Sequence, residues 1–141
     1  MLNFIKFFLI VVVVQVSTAQ AQSTISPKRI TFCDLKKNKG IPVLLQFTYS
    51  GVDEYWSIYS LDKKCNKKNG IDLQFGNEIV GPPEKYKAIF DSVHNSYWNT
   101  YLTITAIGIY EDSRKEGYGH LGHNKAKFAV SELIDVKLTH K

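Results

Sequence analysis

The sequence predicts a mainly β domain, built as a five-stranded barrel with one helix between strands three and four. Three observations predict it. Apolar and polar residues alternate in five short segments, which is the period of a half-buried strand. One segment, after Pro82 and Pro83, instead carries apolar residues at helical spacing. The length of 141 residues suits one domain with one core.

The first residues have the layout of a secretory signal peptide. Lys6 precedes an apolar run from Phe7 to Val14, and small residues follow at Ala19 and Ala21. The run is shorter than the about 20 apolar residues that span a bilayer, so we expect cleavage before Gln22 rather than an uncleaved anchor. This predicts an exported protein, periplasmic or extracellular, with no membrane span after cleavage. The predicted divisions are residues 1–21 (signal peptide), 22–29 (flexible lead-in) and 30–141 (barrel domain).

The predicted elements follow one another in a definite order. Strands are predicted near residues 43–50, 55–61, 71–75, 102–109 and 128–136. The helix begins at Pro82 and Pro83, because proline is tolerated in a first turn, and its apolar stripe needs a sheet or barrel end to cover it. The apolar phase of the fourth strand shifts around Gly108, which predicts a bulge or bend. Glu132 interrupts the last strand, and the sequence offers no explanation for it.

This order of elements matches one small barrel type. Three strands, a helix and two further strands, with a glycine in the first and fourth strands, are typical of the five-stranded OB-type barrel. An open β-sandwich is the alternative, but a single helix in that position argues against it.

The two cysteines and the lysines near them predict a second feature. Cys33 and Cys65 follow the export signal, and an oxidising compartment favours a disulfide over two free thiols. In the chain-entropy model such a link contributes about 3–4 kcal/mol. A disulfide would gather seven lysines into a cationic rim: Lys36, Lys37, Lys39, Lys63, Lys64, Lys67 and Lys68. The rim either binds anionic groups or is a solvated barrel end.

Several motifs together resemble a known group of proteins. They are FCDL around Cys33, a first strand that runs into YSG, the segment DEYWSIY, Cys65 after the second strand, and GYGHLG before the last strand. With these, the chain resembles an uncharacterised family of small exported bacterial OB-like proteins. The resemblance covers almost all of the exported part and implies an OB-like fold and export. It implies no activity and no catalytic residues.

The loop GYGHLGHNKAKF, residues 117–128, is the first candidate site. In an OB barrel this connection lies beside the face on which ligands usually bind. Its glycines permit unusual backbone angles, so its side chains are held at defined positions. The predicted ligand-binding residues are Glu54, Tyr55, Trp56, Tyr118, His120 and His123. In the competing interpretation the loop only packs: Leu121 plugs the barrel, Tyr118 covers it and His120 bonds to the backbone.

Metal binding and catalysis have less support in the sequence. His120 and His123 supply half of a tetrahedral metal site, with Glu116 and Asp112 as nearby candidates to complete it. No nucleophile and base, and no pair of carboxylates, stands out by its spacing. We therefore expect no enzyme activity and no cofactor.

Taken together, the sequence predicts an exported, non-enzymatic binding or interaction module. The expected partners are an anionic glycan, a lipid headgroup or another envelope protein. The formal net charge of +5 is too small to indicate a nucleic-acid binder. The alternatives are a structural or stress-related envelope protein that makes protein–protein contacts, and a weak metal binder that uses His120 and His123.

Overall fold

The computed structural model describes residues 26–65, 70–76 and 81–141. They form a closed five-stranded β-barrel with a short additional strand and an α-helix, which confirms the predicted mainly β barrel. The elements are β1 Lys28–Arg29, β2 Pro42–Val52, β3 Tyr55–Tyr59, β4 Ile71–Phe75, α1 Glu84–Asn95, β5 Thr100–Glu111 and β6 Ala126–His140. The predicted signal peptide, residues 1–21, lies outside the described residues.

One long strand closes the barrel. The strands are hydrogen-bonded in the order β2-β3-β4-β6-β5, and β2 pairs again with β5. β2 can do this because Pro42–Tyr49 pair with β5, whereas Thr48–Val52 pair with β3. β4 and β6 run parallel, and the other barrel pairs are antiparallel. In the sequence, α1 lies between the third and fourth barrel strands.

The irregularity predicted near Gly108 is present, but the extra residues belong to the partner strand. β5 keeps a single phase, and its buried positions include Leu102, Ile104, Ala106, Gly108 and Tyr110. The register between β5 and β6 shifts twice, and the partners skip Ser131 and Ile134 in β6. Each residue of β6 that has no partner in this register reverses the face of the sheet to which the following side chains point. Leu133 therefore faces the core in place of Glu132, which is exposed and needs no buried partner.

Gly108 has a different role from the predicted bend. A Cβ atom there would lie 2.6 Å from the carbonyl oxygen of Ala129 and 2.8 Å from the ring of Phe128. Glycine is required because the two strands approach closely at this point. The Phe128 ring in turn packs edge-on against Phe47 in the barrel centre, with centroids 5.7 Å apart.

Helix α1 covers one end of the barrel. The predicted apolar stripe is confirmed: Phe90 and Val93 are buried, and Tyr86 and Ile89 are partly buried against the core. The last turn joins an aromatic cluster, in which His94 lies 4.3 Å from Trp56 between ring centroids and 3.3 Å from the Tyr49 hydroxyl. This cluster ties the β2–β3 hairpin to the helix. In the described part of the chain, no helix is long and apolar enough to cross a membrane.

A short 3-10 helix, Phe32–Asn38, covers the opposite end. It contributes one fully buried side chain, Leu35, whose exposed fraction is 2%. Cys33 in this helix forms a disulfide with Cys65, as predicted, with Cα atoms 4.9 Å apart. The disulfide therefore fixes the 3-10 helix to the segment that follows β3.

We expect removal of the disulfide to lower stability by about 3–4 kcal/mol, because it closes a loop between residues 32 positions apart. In a domain of this size that corresponds to a fall in Tm of about 10–20 °C. Thermal melts of the wild type with and without reductant measure it. The Cys33→Ser/Cys65→Ser variant is the control and should melt at the lower temperature in both conditions. Equal Tm values for reduced and oxidised wild type would contradict the prediction.

We also expect stability to fall as the solution becomes acidic, because packing against the aromatic cluster lowers the pKa of His94. The unfolded chain then binds more protons than the folded chain below about pH 6.5, and stability decreases with decreasing pH. His94→Phe keeps a ring in place and should flatten the curve of unfolding free energy between pH 7 and 5. His140→Gln, at the exposed end of β6, should leave the slope unchanged. Parallel curves for wild type and His94→Phe would refute this assignment.

Candidate functional site

The glycine-rich loop before β6 is held in a strained, closed shape. Tyr118 and Asn124 form an isolated bridge, in which the Tyr118 N–H donates to the Asn124 carbonyl at 2.8 Å and the Asn124 N–H donates back at 3.0 Å. Gly117 and Gly122 have φ values of 85° and 66°. A Cβ atom on Gly117 would lie 2.3 Å from the Gly122 carbonyl oxygen. Both positions therefore require glycine for reasons of backbone geometry.

Asn124 anchors this loop to the barrel. Its side chain is buried, with 2% exposed, and its Oδ1 accepts a hydrogen bond from the Ser57 hydroxyl at 2.6 Å. Its Nδ2 donates to the Trp56 carbonyl at 3.0 Å and also to the Asp72 carboxyl group. Gly70 leaves room for it, because a Cβ atom there would lie 2.1 Å from Oδ1. The sequence analysis missed Asn124 and Gly70, which carry no motif of their own.

This anchor brings two distant segments together. Because Asn124 bonds to Trp56 and Ser57, the residues just before Asn124 lie beside the residues just before Trp56. His120 Nε2 is 3.0 Å from Glu54 Oε2. The Tyr55 ring contacts the rings of His120 and His123, with centroids 5.3 and 5.1 Å apart.

We call this exposed surface the hairpin–loop patch. Its residues are Glu54, Tyr55, His120, Leu121 and His123. The Tyr55 side chain is 44% exposed, and Glu54, His120 and His123 are also exposed. The patch therefore combines an aromatic ring, an acceptor and two imidazoles at the surface, and it contains four of the six residues that the sequence predicted.

The other two predicted residues lie elsewhere. Tyr118 is buried, with 3% exposed, and its hydroxyl accepts a hydrogen bond from the Arg114 backbone N–H at 3.2 Å. Trp56 is partly buried, stacks on Tyr49 with centroids 5.0 Å apart and donates from Nε1 to the Asp53 carbonyl at 2.6 Å. Tyr118 is thus buried and Trp56 partly buried, so neither is part of the exposed surface that the other four predicted residues form.

Leu121 also departs from expectation. The packing interpretation required it to plug the barrel, which is wrong, because its side chain is 84% exposed. Its φ of 51° lies in the left-handed region, which leucine rarely adopts. Of the packing interpretation, only the burial of Tyr118 is observed. The loop thus holds an apolar side chain in solvent at the cost of backbone strain.

The two histidines belong to no metal-binding cluster in the part of the chain that the structure describes. Among the described residues, no group of three or more His, Cys, Asp or Glu side chains could hold a metal ion. Asp112, one candidate to complete the site, is paired instead with Lys39 at 2.5 Å. That ammonium group lowers the pKa of Asp112.

The cationic rim forms only in part. The disulfide is present, but Lys37 pairs with Asp34 at 3.2 Å and Lys39 pairs with Asp112. Lys67 and Lys68 lie outside the described residues. Two of the rim lysines are therefore paired with neighbouring carboxylates, which reduces the positive charge that the rim offers to a partner.

We expect Asn124→Ala to destabilise the protein by about 2 kcal/mol or more, because it leaves the buried Ser57 hydroxyl without its acceptor and removes one hydrogen bond to Asp72. It should also speed amide hydrogen exchange across residues 118–123. Chemical denaturation and hydrogen exchange measure the two effects. Asn99→Ala, at an exposed position, is the matched control. A change within about 0.5 kcal/mol of wild type would show that Asn124 is not the anchor.

No family model matches this chain, and no curated protein or solved structure is significantly similar to it. The function proposed below is therefore argued from the contacts described above.

Proposed function

We propose that this protein is an OB-type barrel that acts, after export, as a non-enzymatic binding module. The strand order, the parallel pairing of β4 with β6 and the position of α1 in the chain support the OB assignment. OB barrels bind oligonucleotides and oligosaccharides through the loop between their first two strands and the loop between their last two. In this chain those are the β2–β3 turn and the loop that contains residues 117–123.

One observation carries the proposal: both loops meet in the hairpin–loop patch. Tyr55, the first residue of β3 after one loop, contacts His120 and His123 from the other, and Glu54 pairs with His120. In a loop that serves only packing, these side chains would face the barrel. Here they are exposed, on a backbone that Asn124 anchors. Rigid, exposed aromatic and polar side chains are what a binding surface requires.

An acidic oligosaccharide is the ligand class that fits best. The Tyr55 ring offers an apolar face, and the imidazoles offer hydrogen-bond donors for hydroxyl and carboxylate groups. The expected cleavage removes Lys6 and lowers the formal net charge from +5 to +4, and this excess of positive charge favours an anionic ligand over a neutral one at low salt. Export is part of the proposal, and the disulfide supports it, since such links persist in oxidising compartments.

Exposure also favours binding over catalysis. The Glu54 and His120 side chains are 69% and 36% exposed. Catalytic pairs act in sites that exclude water, where electrostatic interactions are stronger. An open pair of this kind is suited to holding a ligand and is poorly placed to stabilise a transition state.

A second candidate function rests on Leu121. An exposed leucine held at positive φ suits an apolar contact with another protein better than a contact with a sugar. The patch would then serve a structural or stress-related envelope protein that makes protein–protein contacts.

We expect Tyr55→Ala and His120→Ala to weaken binding of an oligogalacturonate at least tenfold while Tm changes by less than about 3 °C, since both side chains are exposed. Titration calorimetry at low salt measures the affinity, and a neutral oligoglucan tests the need for charge. Trp98→Ala, which removes a 64% exposed aromatic ring outside the patch, should leave the affinity unchanged.

The outcomes separate the candidate functions. Wild-type affinity in both patch variants would overturn the proposal. A partner protein that Leu121→Ser loses and His120→Ala retains would favour the second function. Melting curves with added zinc test the metal alternative, which requires a rise in Tm confined to proteins that keep His120 and His123. A large loss of stability in His120→Ala, with or without zinc, would indicate that the loop serves only to pack the fold.

A further inference from the structure

A cavity lies at the end of the barrel opposite α1, beneath the 3-10 helix. It is bounded by the end of β3, the start of β4, the end of β5 and the start of β6, with the Cys33–Cys65 disulfide at its side. The 3-10 helix buries Leu35 at this end and packs Phe32 partly against the core. A space of about 230 Å³ remains beside these two side chains.

Part of the cavity wall is apolar, and polar and charged side chains line the rest. Leu35, Ile58 and Ala126 are buried core residues that also line it, and Ile71 contributes a partly buried side chain. At roughly 30 Å³ for a group the size of a water molecule, the volume holds about eight non-hydrogen atoms. The cavity therefore suits a short aliphatic or aromatic body and is too small for an extended chain.

The charged groups at its edge favour an anion. Lys36, Asp112 and Lys125 all line the cavity. Asp112 is already paired with Lys39 and accepts a hydrogen bond from the Tyr110 hydroxyl at 3.4 Å, so its charge is compensated. Within the described part of the chain, no carboxylate forms an ion pair with Lys36 or Lys125. A bound molecule would thus meet two ammonium groups that no described carboxylate contacts as an ion pair.

We propose that this cavity binds a small amphipathic monocarboxylate, with its apolar body against Leu35, Ile58 and Ala126 and its carboxylate at Lys36 and Lys125. The site shares no residue with the hairpin–loop patch and does not depend on the function proposed for that patch. Its ligand enters at the edge of the barrel end, whereas an oligosaccharide would lie across the two loops.

Hexanoate tests the proposal, because it has eight non-hydrogen atoms and one carboxylate. We expect saturable chemical-shift changes at the backbone amides of Ile58, Ile71 and Ala126 when hexanoate is titrated into labelled protein. Lys36→Gln/Lys125→Gln should weaken hexanoate binding at least fivefold, and added salt should weaken it in the wild type. Both lysines are exposed, so the variant should fold as the wild type does.

Two comparisons give the experiment its controls. Lys137→Gln, which changes an exposed lysine on β6 outside the cavity, should bind hexanoate with wild-type affinity. Hexylamine carries the same chain with the opposite charge and should bind at least fivefold more weakly. The proposal is overturned if hexanoate causes no shifts at the cavity amides up to 50 mM, if hexylamine binds equally well, or if the double lysine variant binds as tightly as the wild type.

Discussion

The candidate site depends on one buried side chain, the amide of Asn124. A buried amide is costly unless its donors and acceptor are satisfied, and here Ser57, Trp56 and Asp72 together satisfy it. Its partners lie on β3 and β4, so the amide fixes the β5–β6 connection to the side of the barrel. The same demand explains why Gly70 has no side chain. The hydrogen bonds of the Asn124 side chain therefore position the exposed residues of the patch, although none of those residues takes part in these bonds.

Much of the fold could be predicted from the sequence because it depends on local period. Alternation located the five barrel strands, and the helical spacing located α1. The disulfide could be predicted from the expected export and from there being two cysteines. The bulges could not be assigned correctly, because a register shift belongs to a pair of strands. The pattern around Gly108 therefore predicted an irregularity in β5, whereas the residues without a register partner are Ser131 and Ile134 in β6.

The site was harder to predict because exposure of an aromatic or apolar side chain is decided by tertiary contacts. Tyr55 and Trp56 are adjacent in one short strand, yet Tyr55 faces the loop and Trp56 faces α1. Strand period alone gives their opposite directions but does not say which side is covered. Tyr118 and Leu121 show the same ambiguity inside one loop. Tyr118 is buried and Leu121 is exposed because the backbone bridge between Tyr118 and Asn124, a contact outside any motif, fixes the shape of the loop.

The two ends of the barrel are covered unequally, and this difference decides where a small domain has room for ligands. At one end α1 buries Phe90 and Val93 and joins the aromatic cluster around His94. At the other end the shorter 3-10 helix buries Leu35, packs Phe32 partly against the core and carries the disulfide. A disulfide stabilises mainly by restricting the unfolded chain and does not need to fill volume. The disulfide can therefore stabilise this end of the barrel and still leave space beneath the 3-10 helix. Large apolar side chains at the same end would have filled that space.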